Sequence, residues 1–235
     1  MNLFRLLGCL VTALAVSACA SNSLNLSTTF IDRYAEPNPT PASFVECRGF
    51  GCAETARVSL NDAAWRRVTA IFKPPAKDAL SERRKIAQAV VLMQRLVGAQ
   101  TGTAVHQWTH KDMMIVSNRG DPTQLDCIDE AVNTWTYMTM MERAKLFRFH
   151  RVAQLSYGGT PIDPRNTAVL QETAGGQHFA IDPSIVDFGV LPPILPLATW
   201  LGDWPPDLSA SETHRQSDGN PPRPRRGTAQ SIANR

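Results

Sequence analysis

The chain has 235 residues, 43% of them hydrophobic, which is enough apolar material for one globular domain with extensions. The formal net charge of +3 arises after residue 208, where five arginines outweigh two acidic residues, so the rest of the chain sums to zero. This distribution argues against a nucleic-acid-binding domain, because such a domain carries its basic residues on a folded surface.

The N-terminal residues have the pattern of a bacterial secretion signal. Arg5 precedes an apolar run over residues 6–16, which is too short to span a bilayer. The run ends in Val16-Ser17-Ala18-Cys19, which resembles the lipobox of bacterial lipoproteins. The resemblance implies cleavage before Cys19, lipidation of its thiol as a membrane anchor and, with Ala20 following, a place on the periplasmic side of the outer membrane. An ordinary secretion signal cut at a neighbouring alanine is the alternative.

Composition divides the chain into four segments. Residues 1–18 are predicted to be the signal peptide, and residues 19–43, which are polar and contain three prolines, a flexible tether. Residues 44–203 are predicted to form a single globular domain. From residue 204 the chain is rich in proline, serine and arginine, which predicts a disordered tail over 204–235.

Two cysteines bracket a glycine-containing loop at the start of the domain. In an oxidising periplasm, Cys47 and Cys52 are expected to form a disulfide, worth roughly 2 kcal/mol for so short a ring. Half of a metal site is the competing interpretation, but no second cysteine pair accompanies them. Pairing these two leaves Cys127 as the free thiol of the domain.

Helices and strands are predicted from hydrophobic periodicity and from cap and stop residues. The charged run Glu82-Arg83-Arg84-Lys85 is interpreted as the solvated first turn of a helix, with Gly98 as its stop signal. His106 and His110 are interpreted as loop residues rather than metal ligands. In chain order, the predictions are a strand ending near Val58, a helix carrying Trp65, Val68 and Phe72, a helix from Ser81 to Val97, a strand at Met113–Val116, a helix from Asp126 to Lys145, strands at Leu146–Leu155, Thr167–Glu172 and His178–Asp182, and a helical end at Ala198–Leu201.

The helix that begins with Cys127 is the sharpest chemical feature of the sequence. A turn at Gly120-Asp121-Pro122 leads to Asp126, a predicted N-cap, with Asp129 at the third helical position. Apolar residues recur from Cys127 at helical spacing, so one face is predicted to pack on the core. The helix dipole favours a thiolate at this position, whereas the neighbouring acidic side chains disfavour it.

The order of a cysteine-first helix, strands and a late Asp-Pro resembles the transglutaminase-like (papain-like) superfamily of cysteine hydrolases and acyltransferases. The matching segments are Cys127-Ile128-Asp129-Glu130-Ala131, Asn166-Thr167-Ala168-Val169-Leu170 and Phe179-Ala180-Ile181-Asp182-Pro183. The resemblance implies an α+β fold, with N-terminal helices and a central cysteine-bearing helix packed on a small antiparallel sheet. It also implies a cysteine nucleophile, a strand histidine as base, and an aspartate that orients the histidine.

On this chain the resemblance assigns Cys127 as the nucleophile and Asp182 as the orienting acid. The histidine position falls on Asn166, or on Arg165 if the hairpin register shifts by one residue. Neither residue is a histidine. Arg165 would supply a fixed positive charge beside the thiol, but a guanidinium does not serve as a general base.

Three other side chains are candidates for the missing roles. His150 is a candidate base, because it alternates away from the aromatic residues of its predicted strand. His178 shares a strand face with Asp182, but four extended residues separate them by roughly 13 Å. Gln124, three residues before the thiol, is a candidate oxyanion donor, and its plain alternative is a loop residue.

These features leave two functional interpretations of the resemblance open, beside that of a structural lipoprotein unrelated to the superfamily. The first is a degenerate transglutaminase-like domain on a lipoprotein, which binds a peptide, a glycan or an envelope protein or has a structural role. The second is an active thiol hydrolase or acyltransferase that acts on amide or peptide bonds through Cys127. Both predict membrane attachment through the lipid anchor, no nucleic-acid partner, and neither a metal nor an organic cofactor.

Overall fold

The computed structural model describes residues 24–105, 120–160 and 163–202, together with positions 206, 208 and 211. Several predicted features lie outside the described residues. They are the signal peptide, Cys19, His106, His110, the strand at Met113–Val116 and most of the predicted tail.

The described part of the chain contains five α-helices and eight strands. In chain order the elements are β1 (Leu26–Ser27), α1 (Thr29–Tyr34), β2 (Phe44–Arg48), β3 (Glu54–Val58), α2 (Asp62–Ala70), α3 (Ala79–Thr101), a 3₁₀ turn (Thr103–Val105), α4 (Cys127–Arg143), β4 (His150–Val152), β5 (Leu155–Thr160), β6 (Asp163–Glu172), β7 (His178–Ile181), a 3₁₀ turn (Pro183–Ile185), β8 (Ile194–Pro196) and α5 (Leu197–Trp200).

The main sheet is antiparallel and is built around β6. The first half of β6 pairs with β5 and the second half with β4, while β7 pairs along its other edge. β1 pairs with β5 and β8 pairs with β7, and β2 and β3 form a separate hairpin. The predicted α+β class with a small antiparallel sheet is confirmed.

α4 lies at the centre of the fold, in contact with β6, β2 and α3. The predicted capping box is confirmed, because the Asp126 carboxylate accepts from the Ile128 and Asp129 amides, both at 2.9 Å, and the Asp129 carboxylate accepts from the Asp126 amide at 3.1 Å. The helix ends at Arg143, two residues before the predicted end. It is buried on most of its circumference rather than on one face, because β2 and α3 cover it as well as the sheet.

α3 is longer than predicted at both ends. It begins at Ala79 behind Asp78, whose carboxylate accepts from the third helical amide at 2.6 Å. The prediction that Gly98 stops the helix is wrong, since the left-handed terminus is Gly102 with φ 86°. Gly98 instead permits a close approach, because a Cβ there would lie 2.9 Å from the ring of Phe188.

The predicted solvated first turn of α3 is also wrong. Glu82 is fully buried and Arg83 is 6% exposed. Both side chains reach residues of β4 and β6 that are far away in sequence. A charged run on a helix carries no local sign of such partners, so the sequence alone favours solvent.

The predictions identify the two central strands, β6 and β7, but not the separate strands that flank them. The single strand predicted over Leu146–Leu155 is divided into β4 and the start of β5. The rest of β5, after Leu155, is not predicted because Gly158-Gly159 has low strand propensity. β8 was missed because it ends in Pro196, which an edge strand tolerates.

The folded part of the chain includes residues of the segment predicted to be the tether, 19–43. Leu26 and Ser27 pair with β5, and Phe30, Ile31 and Tyr34 of α1 pack against the core. At the other end, the Ile194 amide donates to the Ser211 hydroxyl at 3.2 Å, inside the segment predicted to be tail. Within the described ranges, no helix has the length and apolarity needed to cross a membrane.

Candidate functional site

The first turn of α4 is clamped by the loop between β2 and β3. Cys47 and Cys52 form the predicted disulfide. The Asp129 carboxylate accepts from the Phe50 amide at 2.9 Å and from the Cys52 amide at 2.6 Å. One turn later, the Asn133 side chain accepts from the Cys47 amide at 2.7 Å and donates to the Cys47 carbonyl at 2.8 Å. The loop therefore covers the helix N-terminus and limits access to it.

The Cys127 thiol lies under this loop, in contact with the ring of Phe50. It is the free cysteine of the described chain and is 7% exposed. The Asn166 amide group donates to its sulfur at 3.7 Å, and the sulfur lies 3.8 Å from the Pro164 carbonyl oxygen. An amide and a carbonyl, rather than an imidazole, are therefore the hydrogen-bond partners of the thiol.

The surroundings of Cys127 favour the protonated thiol. Burial raises the pKa of the Cys127 thiol far above its usual range, and the negative charges of Asp126 and Asp182 act in the same direction. The hydrogen bond from Asn166 opposes these effects but is weaker. The helix dipole is worth about 0.3–1 kcal/mol, or less than one pKa unit, so it does not offset burial.

Asp182 lies at the end of β7, near the thiol, and its carboxylate binds groups that hold the fold together. One carboxylate oxygen accepts from the Ser184 amide at 3.0 Å and from the Ser184 hydroxyl at 2.6 Å. The other accepts from the indole N–H of Trp200 at 2.8 Å. The carboxylate thus caps the short turn after β7 and holds α5 against the sheet.

The register of β6 decides which side chain meets the thiol. Ala168 pairs with Ile181, and the side chain that reaches the Cys127 sulfur is Asn166. Arg165 alternates to the other side, where its guanidinium donates to the Trp200 carbonyl at 3.3 Å and lies 5.2 Å from the indole ring centre. Burial lowers the pKa of Arg165 from its usual value, against the opposing charge of Asp182.

His150 belongs to a different buried cluster. Its Nδ1 lies 3.0 Å from a carboxylate oxygen of Glu82, and its Nε2 lies 3.0 Å from a guanidinium nitrogen of Arg83. Because a guanidinium only donates, Nε2 is the acceptor and Nδ1 carries the proton. Both ring nitrogens are therefore engaged away from the thiol, and the lone pair that a base needs is used by Arg83.

The other two candidates have contacts of their own. His178 pairs with Gln171 at the end of β7 opposite to Asp182, and burial lowers its pKa from the usual value. The Gln124 side chain donates to the Thr123 hydroxyl at 3.2 Å, and its backbone carbonyl accepts from the Gly49 amide at 2.9 Å. These Gln124 contacts join the segment before α4 to the disulfide loop.

Sequence reasoning missed two residues that shape this region. Asn133 was not singled out, although a polar residue among the apolar positions of a central helix is a usable signal. Trp200 was read only as part of a short helical end, and nothing local to it predicts a bond to Asp182.

Comparison with family models, with curated proteins and with solved structures gives no match for this chain. The class that the described residues define is an α+β protein with a disulfide-clamped, buried thiol at the start of its central helix.

Proposed function

We propose that this chain is a lipid-anchored envelope lipoprotein whose transglutaminase-like domain serves as a binding or structural module rather than as a thiol enzyme. The observation that carries this proposal is the environment of Cys127. A nucleophilic cysteine needs a base within reach of its sulfur, and here an asparagine amide occupies that place.

The alternative function is a thiol hydrolase or acyltransferase acting on amide bonds. Its support is the convergence of Cys127, Asn166 and Asp182, the three positions that the resemblance assigns to nucleophile, base and orienting acid. Under this alternative, a base would have to approach from a part of the chain that the structure does not describe. The two functions differ in the thiolate fraction at neutral pH, which is measurable.

The native Cys127 thiol is expected to resist alkylation, with no inflection in its rate below pH 8. Burial keeps the sulfur protonated and shielded, and the thiolate fraction falls about tenfold for each unit by which the pKa rises. Iodoacetamide labelling from pH 5 to 9, read by intact mass, checks this in folded and in guanidinium-unfolded protein. Cys127→Ala gives the background, and an inflection below pH 7 in folded protein would favour the enzyme.

Asn166→His is expected to leave this labelling profile without an acidic inflection. The Asp182 carboxylate already accepts from Ser184 and Trp200, so the new imidazole would have to compete with these donors for its orienting acceptor. Arg165→His is the control, because it places an imidazole at the other candidate position, on the opposite side of β6. Amide hydrolysis by either variant, abolished by Cys127→Ala, would contradict this expectation and show that the site is one substitution from activity.

Cys19→Ala is expected to release the protein from the membrane fraction. The lipid chains on Cys19 are the proposed anchor, and each buried methylene contributes about 0.8 kcal/mol to membrane attachment. Fractionation of cells that express wild type or Cys19→Ala, together with palmitate incorporation, measures this. The conservative control is Cys9→Ala, which alters the signal segment without touching the lipidated position. Equal membrane retention of both variants would contradict the proposed lipid anchor at Cys19.

A further inference from the structure

A small internal cavity lies behind the thiol, between α3, α4 and β2. Its wall includes Glu46 from β2, Gln94 from α3, and Glu130 and Tyr137 from α4, and Phe188 closes one side. The space has room for about one water-sized sphere. A bound group must therefore be a single small species.

Three oxygen acceptors of this wall have no hydrogen-bond partner within the described chain. They are Oε2 of Glu46, Oε2 of Glu130 and Oε1 of Gln94. The three side chains are 2%, 3% and 6% exposed, so bulk water does not satisfy them. A buried acceptor without a donor costs about 1–3 kcal/mol, and more when it is charged. Three such oxygens in the residues around one cavity indicate that a cation or a hydrogen-bond donor binds there.

The charged side chains that line the cavity, Glu46 and Glu130, are both acidic. The groups that act on the Glu130 carboxyl are Asp182, Asp129 and Asp126, all of them acidic. Glu46 accepts from the Thr103 hydroxyl at 3.0 Å. The cation that acts on the Glu46 carboxyl is Arg48, whose guanidinium donates to the Thr101 carbonyl at 3.0 Å and pairs with Glu54 at 3.6 Å. No cationic side chain of the described ranges lines the cavity itself.

We propose that this cavity binds one oxygen-coordinated divalent cation through Glu46, Glu130 and Gln94. Two carboxylates balance the charge of a divalent ion, and carboxylate and amide oxygens are the ligands that hard cations prefer. Calcium is favoured over magnesium, because calcium accepts irregular coordination by protein oxygens, whereas magnesium demands a near-ideal octahedron and gives up its water ligands reluctantly. An occupied site would join β2, α3 and α4 behind the thiol, whatever the thiol itself does.

The cation is expected to stabilise the whole fold, since its ligands come from three elements that meet only in the native state. Protein treated with EGTA is titrated with calcium chloride at constant ionic strength, and the Tm is measured. Calcium near 100 times its Kd is expected to raise the Tm by about 5–10 °C. Magnesium is expected to have a much smaller effect. A wild-type Tm that calcium leaves unchanged overturns the proposal and leaves a buried water in the cavity.

Variants of the ligands separate this site from surface binding. Glu130→Gln and Gln94→Leu are expected to lose the calcium-dependent rise in Tm, whereas Gln100→Leu, an exposed position of the same helix, retains it. Glu130→Gln keeps the shape of the buried side chain and removes its ionisable group, so its Tm in EGTA is expected to equal or exceed that of wild type. If Gln94→Leu does not fold, the calcium-dependent change in the Tm of Glu130→Gln tests the assignment. A calcium response that Glu130→Gln retains in full overturns the assignment.

Discussion

Replacing Glu82 by alanine is expected to destabilise the fold by about 3–5 kcal/mol, the cost of removing one partner from a buried charged network. The Glu82 carboxylate is fully buried and accepts from the backbone amides of Arg148 at 2.7 Å, Phe149 at 2.9 Å and His150 at 3.0 Å. It also accepts from the His150 ring at 3.0 Å. Alanine would leave four donors without their acceptor, and the two that belong to His150 are buried. Urea unfolding at pH 7 measures the loss.

The effect of this substitution is expected to diminish in acid. Burial alone would raise the pKa of the Glu82 carboxyl, but hydrogen bonds from His150 and from the Phe149 and Arg148 amides outweigh it, so its pKa lies below the usual 4.5. A lowered pKa means that the stabilisation is complete above 4.5 and is lost as the pH falls through the folded-state value. Wild type should therefore approach Glu82→Ala in stability as the pH falls below 4.5 and through the folded-state pKa of Glu82.

Glu54→Ala is the matched control for Glu82→Ala. Glu54 has an exposed side chain and one ion pair with Arg48 at 3.6 Å, so its loss is expected to cost no more than about 1 kcal/mol. Glu82→Gln keeps an acceptor oxygen and is expected to fall between the two. A Glu82→Ala protein as stable as Glu54→Ala would mean that the Glu82 network is not formed in solution.

The parts of this fold that the sequence predicts are those specified by neighbouring residues. The capping box of Asp126 and Asp129 depends on residues three apart, and the ring closed by Cys47 and Cys52 depends on residues five apart. The same is true of the central hairpin, where a short Gly-Gly turn joins β6 to β7. In each case the interaction and its signal lie in one short window.

The parts that the sequence does not predict depend on partners far along the chain. The sequence predicts a solvated Glu82, because the backbone amides that donate to its carboxylate lie 66 or more positions later in the chain. His150 reads as a candidate base because the sequence does not reveal that Arg83 occupies its lone pair. A single side chain offers the same groups to a catalytic thiol and to a structural cluster, and only tertiary packing selects one of them.

The environment of Cys127 depends on both local and long-range interactions. The position of Cys127 at the helix start follows from local capping, but its chemistry depends on the register of β6, which brings Asn166 to the sulfur and turns Arg165 towards Trp200. The disulfide loop then covers the sulfur and excludes water, which raises the pKa of the thiol. Access to the candidate site is therefore controlled by the contacts between that loop and α4.

Asn133→Ala is expected to destabilise the fold by about 2–5 kcal/mol, because it leaves one donor and one acceptor buried without partners. Cys47 is fully buried, and both its amide and its carbonyl bind the Asn133 side chain, at 2.7 and 2.8 Å. Asn133 thus takes the place that a neighbouring strand would take along β2. The loss also frees the disulfide loop, so Cys127 is expected to be alkylated faster in the folded variant than in folded wild type.

Thr136→Val separates this interaction from the general cost of changing α4. Thr136 is equally buried on the same helix, but its hydroxyl bonds only to the carbonyl of Val132, at 2.9 Å, one turn earlier. Its replacement is expected to cost less than about 1.5 kcal/mol and to leave Cys127 protected, since no contact to the loop is lost. Urea unfolding and iodoacetamide labelling of both variants test the two expectations together. Equal effects at the two positions would mean that the loop is held without Asn133, through its contacts to Asp129 and to the Gln124 carbonyl.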